Sequence, residues 1–155
     1  MGATERLAEL GLELPPVAAP VASYTPAVRT GQYVYTSGQL PFVDGALAVT
    51  GKVGTGEGLV DPADAAQLAR TAALNALAAV ASVAGGLDNV VRIVKVVGFV
   101  ASDPAFTGQP AVINGASDLL RDVLGDAGVH ARSAVGVAVL PLDSPVEVEV
   151  VAEIA

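Results

Sequence analysis

The sequence predicts an α+β fold in which two α-helices pack on one face of a single mixed β-sheet. Two observations support this prediction. Two segments with helical periodicity and clear caps stand between apolar or alternating segments that are typical of strands. The segments follow the order strand, strand, helix, strand, helix, strand, strand, and no internal repeat divides the chain.

Capping residues define both helices. Asp61 is suited to the N-cap of the first helix, a proline follows at the first helical position, and Gly85-Gly86 ends the helix. The second helix is expected to start at residues 109–110, where another proline stands, and to end at Gly125 or Gly128. Apolar residues recur along one stripe of each helix, which gives each helix a face for the sheet.

Apolar runs bounded by turn residues predict the strands. Asp44-Gly45 is typical of a tight hairpin turn and links the first two of them. Strands are expected at residues 33–40, 46–50, 90–101, 131–140 and 146–155. Residues 4–13 are expected to form a short helix, residues 17–24 an extended segment, and residues 51–58 a flexible loop whose glycine spacing fits no phosphate-binding motif.

The composition excludes several classes of function. The net charge is -8 and the only lysines are Lys52 and Lys95, so there is no basic patch for nucleic acid or for an anionic membrane. The absence of cysteine excludes disulfides, thiolate nucleophiles and cysteine-ligated metals. No apolar run is long enough to span a bilayer. The first residues lack the pattern of a signal peptide, so a cytoplasmic location is expected.

The apolar content predicts an oligomer. Hydrophobic residues make up 52% of the 155 residues, and charged residues make up only 15%. Large exposed apolar patches usually mark interfaces, so part of this apolar surface is expected to be buried between subunits. A homo-oligomer of a single-domain chain is therefore the leading expectation.

An arginine stands in an apolar strand, HARSAVGVAVLP, at residues 130–141. Burying the charge of Arg132 without a partner is unfavourable. One explanation is an ion pair with a glutamate of the last strand, and the other is bidentate binding of a ligand carboxylate. The residues alone support both explanations equally. The glutamates that share one face of the last strand by the period of two are Glu147, Glu149 and Glu153.

The single histidine, His130, is expected to have no catalytic role. The chain has no second histidine and no cysteine, so a typical zinc site cannot be built around it. A catalytic triad would need a serine and an acid beside it, and the sequence has no G-x-S-x-G pattern for a nucleophile.

Two segments resemble the Rid (YjgF-type) family. ARSAVGVAVLP with the following E-x-E strand is similar to the C-terminal signature of the family, and YVYTSGQLP is similar to its early strand. Tyr24 lies where the family has a tyrosine, and Asn114 matches the asparagine of its second helix. The resemblance covers residues 20–155 as one Rid-type domain and leaves residues 1–19 as an N-terminal extension.

The resemblance implies a chorismate-mutase-like fold, a homotrimer with clefts between subunits, and hydrolysis of small reactive 2-imino acids to 2-keto acids and ammonia. No metal or other cofactor is needed, because the C=N carbon is already electrophilic. Arg132 would bind the substrate carboxylate, and Glu147 would position or activate the attacking water. The residues implied to line the cleft, the last of them through its backbone, are Tyr24, Ser37, Asn114 and Ala134.

Some features keep other functions open. Ala134 stands where the family often has a cysteine, so the chain resembles a divergent subgroup, and a non-catalytic trimeric binder of small carboxylates is the alternative. A ribonuclease or translation inhibitor, a label often attached to the family, is disfavoured by the charge of -8. A hairpin of the last two strands would hold Arg132 and Glu147 more than ~20 Å apart. The deaminase hypothesis therefore requires non-adjacent strands, a site shared between subunits, or both.

Overall fold

Residues 1–19 and 22–155 are described by a computed structural model. The helices are α1 (Ala3–Glu9), α2 (Pro62–Ala84) and α3 (Gln109–Leu124). The strands are β1 (Ala27–Thr30), β2 (Tyr33–Thr36), β3 (Val90–Ala101), β4 (Ala131–Val137) and β5 (Val146–Ile154). The α+β class and the order of the segments are confirmed. Within the described residues, no helix is both long and apolar enough to cross a membrane.

The strands form one mixed sheet in the order β1-β2-β5-β3-β4. β3 runs parallel to β4 and antiparallel to β5, and the remaining neighbours are antiparallel. β4 and β5 therefore both pair with β3 and never with each other. The last two strands therefore do not form a hairpin. The long separation of Arg132 and Glu147 that a hairpin would impose does not apply.

Both long helices begin and end where their capping residues predict. The Asp61 side chain accepts a hydrogen bond from the Ala63 N–H at 2.8 Å, and Gly85 ends α2 with a left-handed φ of 79°. The last helix ends at Leu124. The first helix is shorter than predicted, because the chain turns at Gly11, with φ 71°.

The two strands expected near the beginning of the sheet are partly wrong. Residues 46–50 form no strand, and the second strand of the hairpin is supplied instead by β1, which precedes β2 across a turn at Gly31. β1 escapes prediction because it is an edge strand in which only Ala27 is buried, so its apolar alternation is absent. The Asp44-Gly45 turn itself is confirmed: Val43 and Ala46 exchange both backbone hydrogen bonds across it.

Three further boundaries differ from the sequence prediction. The strand expected over residues 33–40 is regular only to Thr36, and its continuation touches the sheet through one bridge between Gln39 and Val148. β4 ends at Val137 rather than at residue 140. The segment expected to be extended at 17–24 bends at residues 22–24, and residues 20 and 21 lie outside the described part of the chain.

The sheet has one buried face and one open face. Val146, Val148 and Val150 of β5 point toward α2 and α3 and belong to the core, together with both helices. Glu147 and Glu149 alternate with them and point to the other side, which we call the open face. The predicted shared face of the β5 glutamates is thus confirmed. The register of the strands places exposed apolar side chains on this same open face: Val28, Tyr33, Tyr35 and Val135.

The N-terminal helix is part of the same core. Leu7 is buried and belongs to the core cluster, and α1 packs on α3. The Thr4 N–H donates to the Asp88 carboxylate at 3.0 Å, and this hydrogen bond lowers the pKa of Asp88. The domain boundary expected after residue 19 stays a prediction.

Candidate functional site

Three neutral acceptors hold the guanidinium of Arg132. Its Nη1 donates to Asn114 Oδ1 at 2.8 Å and to Ser117 Oγ at 3.2 Å, and its Nη2 donates to the Pro110 carbonyl at 3.3 Å. Arg132 and its period-two neighbours on β4 face α3, which supplies all three acceptors. The expected proximity of Arg132 and Asn114 is therefore present within one chain.

No carboxylate in the described part of the chain forms an ion pair with Arg132. Among the described residues no acidic oxygen lies within 4.0 Å of its guanidinium; the ion pairs present are Arg70–Asp122 and Arg121–Asp118, each at 3.5 Å. The internal ion pair with a β5 glutamate is thus not formed. A guanidinium has five N–H groups, so the Nε–H and one Nη2–H remain available to a ligand.

A histidine and a serine continue the hydrogen bonding away from Arg132. Ser117 Oγ lies 2.9 Å from His130 Nε2, and His130 Nδ1 lies 2.6 Å from the Gly128 carbonyl oxygen. Burial lowers the pKa of His130, the positive charge of Arg132 lowers it further, and the bond to Gly128 opposes both. We call His130, Ser117, Asn114 and Arg132 the arginine cluster.

A small cleft opens beside the arginine cluster. Its volume is about 200 Å³. The residues that line it are Ser117, Asp118, Arg121, Gly128, Val129, His130 and Arg132. Ala134 lies two residues along β4, on the same side of the sheet as Arg132, half-buried and paired with Gly98.

Glu147 lies on the open face in contact with the loop after β2. Its side chain is half-buried, and its pKa is raised first by burial and then by the negative charge of Glu149. The carboxyl group packs directly on Gly38: a Cβ added to that glycine would lie 2.6 Å from Glu147 Cδ and would overlap Oε1. Gly38 is therefore the residue that makes room for the carboxyl group.

Backbone and hydroxyl bonds fix the segment that carries Gly38. Gln39 exchanges two backbone hydrogen bonds with Val148, at 2.8 Å and 3.0 Å. The Ser37 hydroxyl donates to the Thr25 carbonyl at 2.7 Å, which leaves its oxygen as an acceptor. Tyr24 is 45% exposed and lines one small recess together with Gly38. We call Glu147, Gly38, Ser37 and Tyr24 the glutamate cluster.

The two clusters do not meet within one chain. Glu147 pairs with Phe99, and Phe99 pairs with Val135, which lies three residues from Arg132 along β4. With strands about 4.8 Å apart and about 3.3 Å per residue, the Cα atoms of Arg132 and Glu147 are roughly 14 Å apart. Their side chains also point to opposite faces of the sheet. One chain alone cannot present both groups to one small molecule.

Sequence reasoning missed Ser117, Gly38 and the contacts of His130. Ser117 follows Asn114 by three residues, so the helical period already placed the two on one side of α3. His130 precedes Arg132 by two residues and points to the same side. The position of Gly38 against Glu147 could not be inferred, because it depends on how the loop crosses β5.

A larger, apolar cavity adjoins the recess of the glutamate cluster, with which it shares Ala18, Ala19 and Phe42. Its volume is about 550 Å³, and it is bounded by the segment at residues 15–19, the turn after Phe42, and α2. Asp44 is its only charged lining residue, so it offers no cation to a carboxylate. Among the described residues, no group of three histidine, aspartate or glutamate side chains is placed to hold a metal ion.

The chain resembles proteins of known sequence and structure over almost all of its length. It is 42% identical to protein TCP17 of Trypanosoma cruzi over 149 residues, which is 96% of this chain and 91% of TCP17. The crystal structure of Atu1372 from Agrobacterium tumefaciens, a protein of unknown function, matches with a TM-score of 0.88 and 47% identity, covering 99% of this chain and 92% of that one.

A structure from Shewanella oneidensis described as a putative endoribonuclease matches with a TM-score of 0.93 and 33% identity, covering 99% of this chain and all 100% of that one. The family model described as "YjgF/chorismate mutase-like, putative endoribonuclease" matches residues 4–154. That match includes both clusters and the whole mixed sheet. The chain therefore belongs to the YjgF/chorismate mutase-like family and has its fold.

Proposed function

We propose that this protein hydrolyses small 2-imino acids to 2-keto acids and ammonia. The observation that carries the proposal is the state of Arg132. Its half-buried guanidinium is held by three neutral acceptors, two of its N–H groups are unused, and no acidic oxygen of the described residues lies within 4.0 Å of it. Two adjacent N–H donors match the two oxygens of a carboxylate. A 2-imino acid carries that carboxylate beside the carbon that water must attack.

Glu147 is the proposed proton acceptor for the attacking water. Water adds to the C=N carbon of the protonated imine, one water proton passes to the Glu147 carboxylate, and the carbinolamine forms. Glu147 returns this proton to the amine nitrogen. The C–N bond then breaks as the carbinolamine hydroxyl gives its proton to Glu147, so that ammonia leaves, the keto acid C=O forms, and Glu147 releases the proton to solvent. Burial raises the pKa of Glu147, which makes its carboxylate a stronger base than an exposed one.

The proposed site takes its two halves from different subunits. Arg132 faces α3 and Glu147 lies on the open face roughly 14 Å away, so the arginine cluster of one chain must meet Glu147 of the partner subunit. The exposed apolar side chains of the open face support an association that covers it. In the proposed homotrimer, Tyr24 and Ser37 would line each cleft beside Glu147, and the Ala134 backbone would contact the imine nitrogen.

A trapping assay tests the activity. An amino-acid oxidase generates 2-iminopropionate, semicarbazide traps it, and an active deaminase competes with the trap. We expect the wild type to compete with the trap. The control variant Arg70→Ala, which removes an arginine that pairs with Asp122, should compete as well. Arg132→Ala should not compete. Absence of competition by the wild type would refute the proposal for this substrate, and carboxylate binding without turnover would favour a non-catalytic binder.

The ribonuclease description attached to the family fits this chain poorly. The net charge is -8, and RNA phosphates would have to approach a protein with 16 acidic and 8 basic residues. We expect no cleavage of single-stranded RNA at physiological salt by protein purified to homogeneity. Cleavage that is lost in Arg132→Ala would assign the arginine cluster to RNA instead of an imine.

A further inference from the structure

The arginine cluster contains a chain of hydrogen bonds in which every link has a fixed direction. The Gly128 carbonyl can only accept, so the hydrogen of the neutral imidazole of His130 is on Nδ1. Nε2 is then an acceptor and takes the Ser117 hydroxyl hydrogen. The lone pairs of Ser117 Oγ are left to face Arg132 Nη1, which can only donate.

We infer that His130 is a positioning residue that acts through the Ser117 hydroxyl to hold the Arg132 guanidinium in the orientation that receives a carboxylate. The inference rests on the proposed function, because it assigns the carboxylate to Arg132. It gives a role to the one histidine of the chain, to which the proposed reaction assigns no step.

The geometry explains why this support matters. Both N–H groups of Arg132 Nη1 are occupied, one by Asn114 and one by Ser117. The donors left for a ligand carboxylate are therefore the Nε–H and the second Nη2–H. Without an acceptor at His130, the Ser117 hydroxyl hydrogen can rotate toward Nη1 and repel it. The guanidinium then loses one of its three anchors, and a long side chain regains rotational freedom.

Protonation of His130 has the same effect as its removal. The imidazolium carries a hydrogen on Nε2 as well, so it donates to one lone pair of Ser117 Oγ and no longer accepts the hydroxyl hydrogen, which is then as free to rotate as it is without the ring. The charged groups near the ring are Arg132 on β4, Asp118 and Arg121 on α3, Asp126 in the turn after α3, and Arg92 on β3, whose Nη2 donates to the Val129 carbonyl.

The sign of the pH effect follows from the environment of His130. Burial and Arg132 lower its pKa, so the ring stays neutral to a lower pH than a free histidine. Carboxylate affinity should therefore be constant through neutral pH and fall as the solution is acidified through the lowered pKa. Asp118 lies on the same cleft, so the control for its own titration is Asp118→Asn, which should keep the acid-side fall.

Binding of 2-oxobutanoate, a product-like carboxylate, to the full-length protein measures the effect. At neutral pH we expect His130→Ala and Ser117→Ala each to raise the dissociation constant about threefold to tenfold, which is the effect of one lost hydrogen bond. The double variant should bind no more weakly than Ser117→Ala, because both changes break the same link. His130→Gln keeps an acceptor that does not titrate, so it should bind like the wild type and lose the acid-side fall.

A second measurement needs no ligand and separates this inference from the proposed function. The rate of rotation about the Arg132 Nε–Cζ bond, followed by nitrogen-15 NMR, should rise in His130→Ala and stay slow in His130→Gln. One outcome is that the wild type fails to bind 2-oxobutanoate while the rotation rates change in the variants as expected. That result would overturn the proposed function and the carboxylate role of Arg132, and it would leave the hydrogen-bonded chain from His130 to Arg132 intact. Unchanged rotation and unchanged affinity in His130→Ala would overturn the inference alone.

Discussion

Replacing Gly38 by alanine should inactivate the protein without unfolding it. The backbone at Gly38 lies outside the left-handed region, so alanine is compatible with its conformation. The added Cβ would lie 2.6 Å from Cδ and 3.0 Å from Cγ of Glu147. Carbon atoms in contact are normally about 3.5–4.0 Å apart, so the carboxyl group must move by roughly 1 Å.

This displacement sets the expected size of the effect. A misplacement of about 1 Å can lower a rate ~100-fold, because the attacking water is no longer held against the electrophile. That loss corresponds to about 2.7 kcal/mol in the activation barrier. The semicarbazide competition assay with 2-iminopropionate measures the rate, and thermal unfolding with circular dichroism verifies that the variant is folded.

A double-mutant cycle attributes the effect to the contact with Glu147. Gly38→Ala should lower the free energy of unfolding by about 1–3 kcal/mol, as overpacking does. In a Glu147→Ala background most of this destabilisation should disappear, because the atoms that meet the new Cβ are gone. A folded Gly38→Ala protein with wild-type activity would refute the assignment of Glu147 to the reaction. An equal loss of stability in both backgrounds would refute the steric explanation.

Two further predictions concern stability. Burial raises the pKa of Glu147, so its ionised form destabilises the folded chain. Glu147→Gln should therefore unfold at a higher temperature than the wild type near neutral pH. The difference in unfolding temperature should vanish in acid, where Glu147 of the wild type is protonated. The buried amide of Asn75 donates to the backbone carbonyls of Leu40 and Phe42, in the segment after β2, at 3.0 Å and 3.1 Å. Asn75→Ala removes both hydrogen bonds and should lower the free energy of unfolding, measured by urea titration, by about 1–3 kcal/mol. The control Ser82→Ala, whose hydroxyl bonds only to its own helix, should change it by less than about 0.5 kcal/mol. Equal stability of Asn75→Ala and wild type would show that the segment is held by other contacts.

Local signals in the sequence were enough to place most of the fold. Asp61 and Gly85 define α2 because capping and left-handed glycine geometry depend only on neighbouring residues. β1 was missed and residues 46–50 were wrongly assigned to a strand, because pairing at the edge of a sheet depends on which chain segment reaches it. Composition and periodicity contain no information on that choice.

The candidate site was predictable in its residues but not in its arrangement. The resemblance to the family indicated Arg132 and Asn114, whereas Ser117 was missed although the helical period places it on the same side of α3 as Asn114. The ion pair of Arg132 with a β5 glutamate could be excluded only by the strand order, which puts β3 between β4 and every β5 glutamate. The opposite orientation of Arg132 and Glu147 also follows from the register, which no local pattern specifies.

Subunit complementation tests most directly the claim that the site is shared between chains. Arg132→Ala and Glu147→Gln chains, each inactive alone, are co-expressed in equal amounts with different tags, and mixed oligomers are purified. If each site takes Arg132 from one chain and Glu147 from its neighbour, every mixed cyclic trimer has one intact site of three, so the purified mixed trimers should recover about one third of wild-type deaminase activity per site. Recovery of no activity in verified mixed trimers, with active wild type prepared in parallel, would contradict the shared site.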